Sequence, residues 1–162
     1  MKILVYGASG TGKTLLSQRL SKDLLIDFYS IDDIFWKKKF TEVHNAVFIE
    51  DKISSIINTY NWIVEGAYLD DFMKSLFVNA DIIIYCKEKN IIKLCCRIIR
   101  RKKQKENFAS IINLLIWNLC NLMKDNYGKR ISIYKFKVIS IKNVKKEYDM
   151  MVNYIKEGSV YE

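Results

Sequence analysis

The eight residues GASGTGKT at positions 7–14 fit the spacing G-x-x-x-x-G-K-[ST] and sit directly behind the apolar run Ile3-Leu4-Val5-Tyr6. Residue types in that order build a phosphate cradle. Gly7, Gly10 and Gly12 let the backbone curl, so that N–H groups along Ala8, Ser9 and Thr11 turn towards an anion. A helix beginning near Lys13 adds the positive end of its dipole. Lys13 then reaches the β- and γ-phosphates of a bound nucleotide, and the Thr14 hydroxyl helps to hold Mg2+.

Mg2+ needs a second anchor, an acid at the end of an apolar strand. Asp32 ends the run Phe28-Tyr29-Ser30-Ile31, and Glu65 ends Trp62-Ile63-Val64. Both fall at the carboxyl edge of the expected sheet, where ligands of open α/β folds gather. Either acid can serve the metal. Between them they can orient its waters and accept a proton from a substrate hydroxyl. Asp33 reads as the N-cap of a helix starting at Ile34.

The net charge of +9 suggests a nucleic-acid binder, but the charge is local. Residues 87–105 carry nine Lys and Arg against the single acid Glu88, whereas the rest of the chain has eighteen bases against seventeen acids. On a helix, Lys93, Arg97, Arg100 and Arg101 share one face, with Ile91, Leu94, Cys95 and Ile98 opposite. Guanidinium groups span phosphate oxygens bidentately and neutralise charge during transfer. This helix therefore reads as a mobile lid that closes on phosphates and excludes water. The trailing Lys102, Lys103 and Lys105 read as solvated.

These residues need a frame to position them. A chain of 162 residues, half of them hydrophobic and without proline, is expected to form one domain with a real core and no disordered linker. No apolar stretch approaches the roughly 20 residues that span a bilayer. The start MKILVYG reads as a buried strand rather than a secretory signal, so a cytoplasmic protein with no membrane partner is expected. Cys86, Cys95, Cys96 and Cys120 form no C-x-x-C pair and read as small reduced core residues. His44 is alone, so a histidine-based metal or catalytic cluster is not expected.

Strands are expected at 2–6, 28–31, 62–64, 81–86 and 138–141. Helices are expected at 13–23, 42–58, 70–77, 91–104, 108–123 and 144–155. Residues 127–137 fit a period of 2 and a period near 3.6 equally well. Strands alternating with helices imply a doubly wound α/β sheet.

The segments ILVYGASGTGKTLL, YSIDDIFW, NWIVEGAY, ADIIIY and RIIRRKK, with the late pair Trp117-Asn118, resemble the small P-loop kinases of the adenylate-kinase-like group. Within that group they are most similar to bacterial DNA topology-modulation proteins, and the likeness runs from Met1 to about Tyr154. It implies a three-layer α/β/α P-loop NTPase fold with a five-stranded parallel sheet in the order 2-3-1-4-5 and a short helical lid at about 88–106. It also implies ATP on residues 7–14 and an acceptor site near Asp32, Trp36 and the turn Glu65-Gly66-Ala67-Tyr68. The lid arginines match Arg97, Arg100 and Arg101, and Lys142-Asn143 would border the base. The family's third-strand turn usually reads Asp-Gly-Asn-Tyr, whereas Glu65 and Ala67 here replace the acid and the amide. Its fourth strand often ends in an acid, where this chain has Cys86-Lys87.

The expected activity is ATP-dependent transfer of the γ-phosphoryl group to a small-molecule acceptor, a nucleotide or nucleoside being one candidate class. The alternatives are a nucleotide-dependent DNA-binding or topology-modulating regulator, or an ATPase without an acceptor. A nucleic-acid partner is not favoured, because no helix-turn-helix or zinc module is present. The lack of an Asn-Lys-x-Asp motif disfavours a switch GTPase. Nothing in the sequence sets an oligomeric state.

Overall fold

The computed structural model describes residues 1–38, 41–87, 90–102 and 108–158. The chain begins with β1 (Lys2–Tyr6), α1 (Lys13–Leu24), β2 (Phe28–Ser30), α2 (Ile31–Phe35), β3 (Trp36–Lys38), β4 (Glu42–Val43), α3 (Ala46–Ile57) and β5 (Trp62–Gly66). It continues through α4 (Met73–Asn79), β6 (Ile82–Cys86), α5 (Ile91–Lys102), α6 (Phe108–Met123), α7 (Asn126–Ser132), a 3-10 turn at Lys135–Lys137, β7 (Val138–Ile141) and α8 (Val144–Gly158). Among the described residues, five strands form one sheet in the order β2-β5-β1-β6-β7, each pairing parallel. This is the expected order.

Continuous apolar runs suit these strands because helices cover both faces. Successive side chains of β1 point to opposite layers. Leu4 and Tyr6 join Trp62, Val64, Ile83 and the helices α3 and α4 in one core. Ile3 and Val5 join Ile63, Ile84, Leu16, Leu20 and Met151 in the other. The chain fills the sheet on the β5 side of β1 and then crosses to the β6 side. The crevice of an open α/β sheet therefore opens at the carboxyl end of β1, where residues 7–14 lie.

The structure corrects some details of the sequence reading and resolves one that it left open. The helix expected from residue 42 starts at Ala46, because the Asn45 side chain accepts the Phe48 N–H at 2.8 Å and caps it there. Glu42–Val43 instead pairs antiparallel with Trp36–Lys38. Asp33 is not an N-cap: α2 begins at Ile31, and Asp32 and Asp33 occupy its first turn, where negative charge meets the helix dipole. The ambiguous stretch resolves as helix and 3-10 turn, since Tyr127 and Ile131, four residues apart, are both buried. The cysteine reading holds only for Cys86, which is buried; Cys95 is half-buried, and Cys96 and Cys120 are exposed. None of the described helices is long and apolar enough to cross a membrane.

The Asn45 cap gives a direct test. Replacing Asn45 with Ala should lower unfolding stability by about 1 kcal/mol in urea titration, and Asn45→Asp should restore most of it. An Ala variant as stable as the parent would show that α3 is held by its core contacts alone.

Candidate functional site

The loop at residues 7–14 owes its shape to two tight approaches. A Cβ on Gly7 would lie 2.5 Å from the carbonyl oxygen of Cys86, and its φ of +146° also suits glycine. Gly10 has φ +83°, and a Cβ there would lie 3.1 Å from Ile98 Cγ1. The apolar side of α5, through buried Leu94 and Ile98, is thus seated directly on the loop. Within the loop, Lys13 Nζ donates to the Ala8 carbonyl at 2.8 Å and Thr11 Oγ1 donates to the same oxygen at 2.9 Å. Lys13 is buried. A buried ammonium beside a curl of backbone amides is suited to hold a polyphosphate.

The two sequence-predicted acids take different surroundings. Glu65 is 6% exposed, and its Oε1 accepts hydrogen bonds from Thr14 Oγ1 at 3.1 Å and Ser30 Oγ at 3.0 Å. Hydroxyl and carboxylate oxygens are the ligand types that Mg2+ takes. Asp32 accepts instead from the Tyr68 hydroxyl at 2.9 Å. Burial, the Asp32 charge and that hydrogen bond together hold the Tyr68 phenol well above its usual range, against a lowering contact from Trp36. Phe35 packs 4.7 Å from Tyr68 and 5.1 Å from Trp36, and Phe72 lies 5.8 Å from Tyr68, measured between ring centroids. Gly66 leaves room for Ile31, whose side chain would meet a Cβ there at 3.1 Å. Asp32, Trp36 and Tyr68 are therefore brought together, while Glu65 faces the loop.

The remaining sequence candidates fall around this pair. Arg97 Nη1 donates to the Gly10 carbonyl at 3.4 Å, and exposed Lys93, Arg97 and Arg100 line a groove with Ile92 and Cys96. The Arg101 side chain, and residues 88–89 and 103–106 of the expected lid, lie outside the described residues. The backbone N–H groups of Lys142 and Asn143 both donate to the Glu147 carboxylate, at 3.2 and 3.0 Å, capping α8. Val144 Cγ2 sits 3.7 Å from where a Gly12 Cβ would be, so this capped corner borders the loop. Three contributors were not given roles from sequence. Ser30 bonds Glu65; Asn118 Oδ1 accepts the Ser9 N–H at 3.1 Å; and Arg130 Nη2 donates to the Leu69 carbonyl. The readable signal was Asn118, a fully buried polar residue in a helix otherwise rich in Leu, Ile and Trp.

The model of the family described as RNA helicase matches residues 3–116. No curated protein matches the chain. Among solved structures, a shikimate kinase from Bacteroides thetaiotaomicron aligns with TM-score 0.60 at 14% identity, covering 97% of each chain. A gluconokinase from Sinorhizobium meliloti 1021 aligns at 0.57 and 13% identity, covering 87% of this chain and 81% of its own. A deoxyadenosine kinase from M. mycoides aligns at 0.55 and 17% identity, covering 97% of this chain and 100% of its own. At these identities the likeness is one of fold.

Burial pushes the Cys86 thiol, at the end of β6, up from 9.0 to about 12, with nearby Glu65 adding to the shift and Lys13 opposing it. A raised thiol value means that the native state keeps its proton where the unfolded chain gives it up. The stabilisation is full below about pH 9 and is lost as pH rises towards 12. Stability of the parent should therefore fall more steeply between pH 9 and 11 than that of Cys86→Ala. In the same native protein at pH 8, iodoacetamide should modify Cys96 and Cys120 and spare Cys86. Equal slopes together with rapid Cys86 labelling would contradict the buried-thiol assignment.

Proposed function

The chain belongs to the family described as RNA helicase; from that premise and from its site we propose an ATP-dependent phosphotransferase that moves the γ-phosphoryl group to a small-molecule acceptor. The observation that carries this reading is the division of labour between the acids. Glu65 gathers the Thr14 and Ser30 hydroxyls at the mouth of the loop, while Asp32 is held by Tyr68 among aromatic rings. One carboxylate thus fits a metal beside a phosphate chain, and the other fits the hydroxyl of a second substrate. The fold shared with three proteins named as kinases supports the same reading.

In this proposal Lys13 and the loop amides of residues 7–14 hold the donor. Thr14 and Glu65 would hold Mg2+, which would neutralise phosphate charge during transfer. Asp32 accepts the proton of the attacking hydroxyl, and Trp36, Gly66 and Tyr68 wall the acceptor. Arg97, Arg100 and Arg101 neutralise the transferring group, and Lys142-Asn143 borders the base. Phosphoryl transfer asks the protein mainly for positioning and charge, which these groups provide. A topology-modulation protein of this kind would act on DNA indirectly, through the product of its reaction.

The family description and the basic segment favour one second reading, an ATPase whose hydrolysis is driven by nucleic acid. A panel of nucleosides, nucleotides and hydroxylated metabolites with γ-labelled ATP separates the two. Label should move to an acceptor and fall about 100-fold or more in Lys13→Ala and Asp32→Asn. Label released only as phosphate, and faster with single-stranded RNA, would favour the second reading. Glu65→Gln should raise the Mg2+ concentration needed for half-maximal activity by about 10-fold, with Asp32→Asn leaving it unchanged.

A further inference from the structure

Ser9 and Gly10 are consecutive residues of the phosphate loop, and each is held by a different helix. Gly10 carries the α5 contacts, while the Ser9 N–H donates to Asn118 Oδ1 of α6 at 3.1 Å. Asn118 is completely buried, and its Nδ2 donates to the Leu114 carbonyl one turn back at 3.0 Å. Its helix therefore uses only one end of the amide, and the other end is given to the loop. The N–H of Ser9 and the C=O of Ala8 belong to a single planar peptide. That same Ala8 oxygen accepts from Lys13 Nζ at 2.8 Å and Thr11 Oγ1 at 2.9 Å. One rigid plane is thus gripped by Asn118 at its nitrogen end and by Lys13 and Thr11 at its oxygen end.

We infer that Asn118 is a positioning residue of the donor site: by fixing the Ala8–Ser9 peptide it sets where Lys13 stands, so the docking of α6 sets affinity for a nucleoside triphosphate. This rests on the reading of residues 7–14 as the nucleotide loop. Without the Oδ1 acceptor, the peptide plane is free to turn about its flanking bonds, and Lys13 moves with the oxygen to which it donates. Binding of the triphosphate then has to order the loop again, and affinity falls by that cost.

A neighbour supplies the control. Asn121 lies on the same helix, is also buried, donates to the Trp117 carbonyl at 2.8 Å and accepts from Asn126 Nδ2 at 2.7 Å. It makes comparable bonds, and among the described residues neither of them goes to the loop. The test is the dissociation constant for Mg2+ and a non-hydrolysable ATP analogue, read with the melting temperature, in parent, Asn118→Ala, Asn118→Ser and Asn121→Ala. The Ser variant keeps a hydroxyl able to bond the Leu114 carbonyl but falls short of Ser9, which protects the fold if Ala does not. Both Asn118 variants should weaken the analogue about 5-fold or more. Asn121→Ala, at an equal or larger fall in melting temperature, should stay within about 2-fold of the parent. Parent-like affinity in a folded Asn118 variant, or an equal loss in Asn121→Ala, overturns the inference. Failure of the parent itself to bind the analogue overturns the nucleotide reading and this inference with it.

Discussion

The loop depends on the approach of Gly7 to the carbonyl of Cys86, where any side chain at position 7 would strike backbone. It requires the chain to leave β1 hard against the end of its neighbour β6. From that point the loop has little freedom. It must curl over the sheet edge, pass beneath α5 at Gly10 and enter α1 at Lys13, with Lys13 turned back onto the Ala8 oxygen. The thiol of Cys86 is sealed under the same bend and shares its surroundings with Lys13 and Glu65. A small uncharged side chain fits there. An acid would bring a second carboxylate close to Glu65 in a buried place, a repulsion set against the attraction of Lys13.

Burial also explains why the two acids differ. Glu65 lies on β5, a strand covered on both faces, so its carboxylate depends on the hydroxyls of Thr14 and Ser30 for partners. Asp32 stands in the first turn of the short helix α2, half-buried, where the helix dipole and the Tyr68 hydroxyl support its charge. The loop from β5 to α4 serves both. Glu65 looks back to the phosphate loop, Tyr68 reaches across to Asp32, and the Tyr6 hydroxyl and Arg130 hold the carbonyls of Tyr68 and Leu69. Arg130 on α7 and Asn118 on α6 thus tie the two sides of the crevice to one pair of helices.

The sheet was legible because each of its strands is an apolar run between turn signals, and burial on both faces demands such runs. The phosphate loop was legible because glycine spacing is a local code. Helix starts were less so: Asn45 competes with the apolar spacing of Val43, Ala46 and Val47, and a side-chain cap decides the outcome. The pairing of Thr14 with Glu65 rather than Asp32 depends on the register of β2 against β5, which sets Ser30 opposite Glu65 and carries Asp32 into the next turn. Residue spacing along the chain holds no record of that register. Asn118 stood out as a polar residue in an apolar helix, but its partner lies 109 residues away.

A family described as RNA helicase and a fold shared with proteins named as kinases are physically compatible, because a G-x-x-x-x-G-K-[ST] loop binds phosphates whatever those phosphates are then used for. The difference must lie in what faces the loop. Here the ends of β2 and β5 are lined by Phe35, Trp36, Tyr68 and Phe72 around the Asp32 carboxylate. Such a wall suits a small hydroxylated molecule and opposes a phosphodiester backbone, whose negative charge would meet Asp32. Lys93, Arg97 and Arg100 stand on the exposed face of α5, with Arg97 donating to the Gly10 carbonyl. The aromatic rings around the Asp32 carboxylate are therefore what supports the proposed transfer to a small acceptor over work on a polymer.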